Sequence, residues 1–175
     1  MASFVTSTCF LIFLMVIMFS FYTKKHIDKL ENNIFSWLMI SNCIGIIFQI
    51  ISYIVTILST NVNSIYYYLF VKVIFSYYLI FEFLFVLYVY VIASRTDKNN
   101  IADYNKYKKI KKVLMYLGII SSFIVFLLPI NIVVSDKYYY PEGGSLIYIF
   151  VLASIGVLYI IYCIIKNRSK IFTKR

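Results

Sequence analysis

The chain has 175 residues, of which 62% are hydrophobic and only 14% are charged, and its formal net charge is +10. Soluble domains average about 45–50% apolar and about 25% charged residues, so this composition excludes an ordinary soluble protein. The longest polar stretch, Arg95–Lys112, is too short for a soluble domain, which usually needs about 50 residues or more. Because the positive charge is not gathered on a soluble fold, we do not expect nucleic-acid binding.

Five long apolar segments follow one another along the chain. Each is long enough to cross a hydrocarbon core of about 30 Å, which takes about 20 helical residues. The segments are Ser3–Tyr22, Trp37–Leu58, Ile65–Ser94, Val113–Val134 and Leu146–Ile165. The sequence therefore predicts an all-α fold: a single polytopic membrane domain over residues 1–175, built as a bundle of five transmembrane helices.

The lysines and arginines predict the orientation of these helices. All of them except Lys72 and Lys137 lie between the first and second segments, between the third and fourth, or after the fifth. Loops rich in Lys and Arg stay cytoplasmic, which places the N-terminus outside and the C-terminus in the cytoplasm. The same charge attracts anionic lipid of the inner leaflet, so we expect the bilayer itself as a partner. Abundant Ile, Lys, Asn, Tyr and Phe suggest an AT-rich bacterial gene and hence the plasma membrane.

The second segment carries a stripe of small and polar residues. Asn42, Gly45, Gln49, Ser52 and Thr56 recur at spacings of three and four residues, which places them on one helix face. In a bilayer such a face is expected to contact other helices, because small residues permit close approach and polar groups need partners. The stripe is explained either by structural packing or by a ligand or coupling surface.

The third segment contains two ionisable residues, Lys72 and Glu82. A charge in mid-bilayer costs about 2.5–3.5 kcal/mol on insertion scales, so each should face the bundle interior or water. They are ten residues apart, which is about 15 Å of helical rise, so they cannot touch. Lys72 lies near the outer end and can snorkel to the interface. The deeper Glu82 is expected to be protonated, hydrogen-bonded to Gln49 or Asn42, or part of a polar site.

A proline marks the outer end of the fourth segment. Pro129 lacks a backbone donor and is expected to kink the helix, which makes it a candidate hinge. The outer loop Ser135–Ser145 follows, punctuated by Pro and Gly. Its tyrosines Tyr138–Tyr140, together with Tyr66–Tyr68 at the other outer turn, are expected to form an aromatic belt.

Signatures of catalysis and of metal binding are missing from the sequence. It contains no H-E-x-x-H, G-x-S-x-G or Walker loop, and its single histidine, His26, lies among charged loop residues. We therefore expect no catalytic residue, no metal and no cofactor. The candidate functional residues form an intramembrane polar set with a hinge: Asn42, Gln49, Lys72, Glu82 and Pro129.

Two stretches resemble the N-terminal membrane sensor region of low-GC Gram-positive sensor histidine kinases. Tyr22–Gln49 (Y-T-K-K-H-I-D-K-L-E-N-N-I-F-S-W-L-M-I-S-N-C-I-G-I-I-F-Q) is similar to a basic loop with a Glu-Asn pair that leads into a second helix bearing Asn and Gly. Leu128–Asn131 (L-P-I-N), followed by an aromatic outer loop and a helix that ends in basic residues, is similar too. The resemblance covers nearly the whole chain. It implies a multi-helix sensor, which in that family precedes further helices, a phosphoacceptor-histidine hairpin and an ATP-binding domain.

The chain departs from that family in two respects. His26 is followed by Ile27 and Asp28 rather than by the Glu-Arg-Thr-Pro pattern of a phosphoacceptor box, and no ATP-binding glycine and asparagine motifs are found. The outer loop reads Y-Y-Y-P-E-G-G-S where the family has a single Tyr-Gly turn, so a shared mode of ligand binding is not implied. We expect an isolated or truncated sensor portion, without kinase activity of its own.

Two other functions fit the same sequence. A small transporter or channel subunit would use Lys72 and Glu82 to line a polar path, and it would oligomerise because five helices rarely surround a pore alone. A non-catalytic membrane assembly partner would instead form a stable complex. For the sensor, the expected protein partner is a second copy in a homodimer, or a kinase or other transducer.

Overall fold

The computed structural model describes residues 2–23, 30–58, 65–94, 100–135 and 138–168. Side chains are described at residues 8–23, 30–55, 68–94, 100–131, 133 and 141–168. The elements in chain order are α1 (Ala2–Thr23), α2 (Leu30–Leu58), α3 (Ile65–Ser94), α4 (Ile101–Leu127), β1 (Asn131–Ser135), β2 (Tyr138–Glu142) and α5 (Gly144–Lys166).

Four of the five helices are each long and apolar enough to cross a bilayer. The qualifying stretches are Leu30–Val55, Tyr68–Ser94, Ile101–Leu127 and Gly144–Lys166; in α1 the side chains are described only over Thr8–Thr23, a shorter apolar stretch. The expectation of a helical, multi-pass membrane protein is thereby confirmed. A fifth crossing and the orientation of the termini stay predictions.

Two helices begin earlier than the sequence predicted. α2 begins at Leu30 instead of Trp37, and α4 begins at Ile101 instead of Val113. Asn100 caps α4, because its Oδ1 accepts a hydrogen bond from the Ala102 amide at 3.2 Å. Residues 101–112 of the lysine-rich stretch expected to be a loop therefore form the first turns of α4. With 27 residues, α4 is about 40 Å long and exceeds the hydrocarbon thickness of about 30 Å.

The C-terminal end of α4 differs from the prediction as well. The helix ends at Leu127, and Leu128 has an extended conformation (φ −69°, ψ 143°), because a following proline disfavours the helical region for the residue before it. The predicted helix to Val134 is therefore wrong. The β-branched residues that follow form β1, which pairs antiparallel with β2 from Asn131 opposite Glu142 to Ser135 opposite Tyr138.

The third helix is the centre of the bundle. α3 packs against α2, α4 and α5, while α1 packs against α2. Two clusters of buried side chains hold these helices together, one at each end of α3. The cluster at the C-terminal end of α3 contains Leu30, Ile34, Leu87, Tyr90, Val91, Ala93, Tyr107 and Cys163. The cluster at the N-terminal end of α3 contains Val71, Phe75, Leu79, Val125 and Ile130.

A row of aromatic side chains joins α1 and α2 to α3 near the cluster at the C-terminal end of α3. The Phe21 and Phe35 ring centroids are 5.1 Å apart, and those of Phe35 and Tyr88 are 5.7 Å apart. The Tyr22 hydroxyl also forms a hydrogen bond with the Ser36 hydroxyl. The position of α1 is therefore set through α2, at the end of the molecule where most of the described basic residues lie.

Candidate functional site

The predicted polar residues do not form one site. Three side chains of α3 each contact a different helix. Tyr77 contacts α2, Lys72 contacts α4 and Glu82 contacts α5. Each contact joins a side chain on one helix to a small residue or a backbone carbonyl on another. The arrangement can fix the relative positions of four helices without gathering reactive groups in a single pocket.

The contact with α2 is built on Gly45. A Cβ added at Gly45 would overlap the ring of Tyr77, so the absence of a side chain lets that ring lie directly on the α2 backbone. The Tyr77 hydroxyl then donates a hydrogen bond to Oδ1 of Asn42 at 2.9 Å. The predicted role of this part of the stripe as a helix-packing surface is confirmed for Asn42 and Gly45.

The rest of the stripe behaves less uniformly. Ser52 is buried, but Gln49 is exposed, and the side chain of Thr56 lies outside the described residues. No other described helix of this chain covers Gln49, so its predicted contact with another helix stays a prediction. Residue spacing gives the direction of a helix face, but it does not give the length over which a neighbouring helix covers that face.

The contact with α4 is an unusual helix cap. Lys72 Nζ donates a hydrogen bond at 2.7 Å to the carbonyl oxygen of Phe126, in the last turn of α4. The last carbonyls of a helix lack partners within the helix and carry partial negative charge, so an ammonium group there is favourable. Lys72 is half-buried, and its bond to α4 replaces the predicted alternative of snorkelling alone.

Pro129 ends α4 and so leaves carbonyl oxygens in its last turn without helical partners; Lys72 donates to one of them, and a second residue donates to others. Pro129 lacks the amide that would bond to the carbonyl of Val125, four residues earlier. The Ser145 hydroxyl, at the start of α5, lies 3.3 Å from that carbonyl oxygen and 3.1 Å from the carbonyl oxygen of Leu128. Pro129 thus ends α4 and does not kink it, so the predicted kink is wrong. Its role as a hinge between α4 and the hairpin stays a prediction.

The turn into α5 depends on a glycine. Gly143 has φ of +121°, a conformation that side chains rarely allow. A Cβ there would also lie 3.0 Å from the Pro129 carbonyl oxygen. Gly143 therefore lets the hairpin return close enough to α4 for Ser145 to reach its carbonyls.

The contact with α5 involves the deeper ionisable residue, Glu82. A Cβ at Gly156 would overlap Oε1 of Glu82, so this carboxyl group packs directly on the α5 backbone. Within the described part of the chain, no hydrogen bond or ion pair holds the Glu82 carboxyl group. Of the three alternatives given for Glu82, the hydrogen bond to Asn42 or Gln49 is not formed among the described residues: Oδ1 of Asn42 accepts from Tyr77, and Gln49 is exposed.

An open groove runs between α2 and α4, with α3 as its floor. It encloses about 850 Å³ and is lined mainly by apolar side chains, with Lys108 and Lys111 at one end. Neither Lys72 nor Glu82 lines it. The structure therefore separates Lys72 and Glu82, the intramembrane ionisable residues of α3, from this groove.

Sequence reasoning missed three residues that complete these contacts. Tyr77 and Ser145 were not singled out, and neither was Tyr148, whose hydroxyl donates to Ser121 Oγ at 3.2 Å. Ser145 could have been predicted from Pro129. A proline near a helix end leaves one backbone carbonyl without its hydrogen-bond donor, so a nearby side-chain donor is expected. No comparable signal existed for Tyr77, since the sequence is rich in tyrosine.

The described side chains include no group of three or more His, Cys, Asp or Glu residues able to hold a metal ion. No protein-family model matches this chain, and searches of curated proteins and of solved structures likewise found no match. The resemblance to sensor histidine kinases thus stays a prediction that rests on the residues quoted for it.

Proposed function

We propose that the chain is a membrane-embedded sensor module, similar to the input region of a two-component histidine kinase, and that it has no catalytic role itself. The observation that supports this most directly is the position of α3. Its Lys72 and Glu82 contact α4 and α5 respectively, and its Tyr77 contacts α2. A displacement of α3 would therefore change the position of three other helices.

The proposed mechanism is a shift of α5 along α3. α5 packs mainly on α3, and the Glu82 carboxyl group meets it at a glycine rather than through a hydrogen bond. The contact therefore locates α5 on α3, but no hydrogen bond between Glu82 and Gly156 has to break when α5 moves along α3 to a second arrangement. Packed helices commonly change arrangement by shifts of about 1–2 Å. A stimulus drives this change only if it binds one of two arrangements more tightly.

The orientation proposed for this module follows from its basic residues. With the N-terminus outside and the C-terminus in the cytoplasm of a bacterial plasma membrane, the Lys166 end of α5 lies on the cytoplasmic side. The hairpin then lies outside. A shift of α5 would reach a kinase or transducer partner, or a second copy of the chain, at that end.

A chimera tests the proposal. The chain is joined after Arg168 to the cytoplasmic part of a sensor histidine kinase, and autophosphorylation is measured in membranes at equal abundance. Gly156→Leu and Glu82→Gln should change output about fivefold or more, since about 1 kcal/mol of bias alters a two-state population by that factor. Ser154→Leu, which adds the same side chain on an exposed position of α5, is the control. Output that is the same in all four proteins would contradict the proposal.

The transporter hypothesis makes a separate and opposite prediction. It requires ion or solute flux through liposomes containing the purified chain, with loss of flux in Glu82→Gln. Because Glu82 packs on the backbone of α5 and does not line the groove, we expect no Glu82-dependent flux. Flux of that kind would replace the sensor proposal with the transporter hypothesis.

A further inference from the structure

The groove between α2 and α4 has charge at one end only. Lys108 and Lys111 line it one helical turn apart on the same face of α4, and both are exposed. Lys108 Nζ lies 4.7 Å from the centroid of the Tyr104 ring, which keeps the ammonium group at the groove entrance. The amide side chain of Asn33 faces the same space from α2. Among the described lining residues there is no carboxylate to neutralise the lysines.

The apolar part of the groove has the depth of one leaflet. From Lys111 to Ser122 the helical rise is about 16 Å, close to half of a hydrocarbon core of about 30 Å. The floor is provided by apolar residues of α3, including Phe83 and Leu84. At Gly118 a Cβ would come within 3.3 Å of the Phe83 ring. The missing side chain at Gly118 therefore lets the Phe83 ring pack closely against the α4 backbone at the base of the groove.

We infer that this groove binds one anionic phospholipid from the leaflet on the basic side of the protein. The phosphate lies between Lys108 and Lys111, and an acyl chain follows Phe83 towards Ser122. The charges favour this occupant, since basic pockets between transmembrane helices bind anionic headgroups. A zwitterionic lipid would place its own cation beside two ammonium groups. This inference does not depend on the proposed sensor role, because neither Glu82 nor Lys72 contributes to the groove.

The chain carries its own probe for this lipid. Trp37 lines the groove and is the only tryptophan in the sequence. The full chain is reconstituted in phosphatidylcholine vesicles that contain a fixed fraction of phosphatidylglycerol, with bromine on the acyl chains of either lipid in turn. Quenching of Trp37 fluorescence then compares how often each lipid lies in the groove.

Two matched pairs of substitutions separate the groove from the charged surface in general. Lys108→Gln/Lys111→Gln removes both groove lysines. Lys109→Gln/Lys112→Gln removes the same charge at the same spacing from exposed positions of α4 outside the groove. We expect Trp37 to favour brominated phosphatidylglycerol in the unchanged protein. The first pair should lower this preference by about fivefold per lysine, and the second should leave it nearly unchanged.

Three results would overturn the inference. Equal quenching by both brominated lipids in the unchanged protein would show that the groove does not select anionic lipid. An equal loss of preference in both double variants would assign the effect to general surface charge. Protection of Trp37 from both lipids would show that a second copy or another polypeptide segment covers the groove.

Discussion

At the scale of single residues, the informative positions are glycines that receive a side chain from another helix. Gly45 lies under the Tyr77 ring and Gly156 lies under the Glu82 carboxyl group. Gly45 belonged to the stripe that the sequence revealed, because its spacing matched neighbouring polar residues. The identity of its partner could not be predicted, since residue spacing within one helix contains no information about which side chain of another helix lies above it.

The packing at Gly45 gives the first prediction. Gly45→Ala should lower the free energy of unfolding by about 1–3 kcal/mol, because the added methyl group overlaps the Tyr77 ring and displaces it. The free energy is measured by titration with sodium dodecyl sulfate in mixed micelles. In a Tyr77→Ala background the same substitution should cost much less, since the overlapping ring is gone. An equal cost in both backgrounds would show that this contact does not limit the approach of α2 and α3.

At the scale of elements, the end of α4 shows how one proline organises three helices. Pro129 leaves the carbonyl of Val125 without its helical partner. Ser145 from α5 and Lys72 from α3 supply donors to this last turn. The sequence located the break correctly but predicted a kink. Residues 131–135 (N-I-V-V-S) are mostly apolar, and a short apolar run does not distinguish a strand from the continuation of a helix.

The cap on α4 gives the second prediction. Lys72→Met keeps much of the side-chain length but removes the donor to the Phe126 carbonyl. The variant should lose about 1 kcal/mol of unfolding free energy, the usual scale for a cation at a helix C-terminus. Lys109→Met, at an exposed position near the other end of α4, is the control and should change stability little. If Lys72→Met were as stable as the unchanged protein, the hydrogen bond would add nothing to the folded state.

The first residues of α2 and α4 show that hydropathy alone does not predict where a helix begins. Segment length predicted where helices cross the bilayer, and four of them are long and apolar enough to do so. It did not predict that α4 begins at Ile101, because lysines favour helix as well as loop. The start of α4 could have been predicted from Asn100, a residue typical of helix N-caps. Its Nδ2 also donates a hydrogen bond to Asp103 Oδ2 at 3.0 Å.

At the scale of the whole molecule, the packing order was beyond sequence reasoning. In a soluble bundle the apolar face of each helix indicates its neighbours, but lipid-facing residues are as apolar as those in a membrane core. The central position of α3 became apparent only from the structure, where it packs against α2, α4 and α5. This central position explains why Lys72 and Glu82 lie on α3, since the helix with most neighbours best accommodates ionisable groups.

The central claim is that the contact between Glu82 and Gly156 sets the position of α5 on α3. It is tested most directly by the distance between spin labels at Ile92 on α3 and Ile164 on α5, both exposed. The labels are placed in a variant whose three native cysteines are replaced by alanine, and the protein is reconstituted in lipid bilayers.

Gly156→Leu should shift the mean distance by about 1–2 Å, the usual size of a helix displacement at an interface. Ser154→Leu, on an exposed position of the same helix, should leave it unchanged. The same distance distribution in the folded Gly156→Leu protein as in the parent would contradict the account, because α5 would then be positioned by something other than this contact.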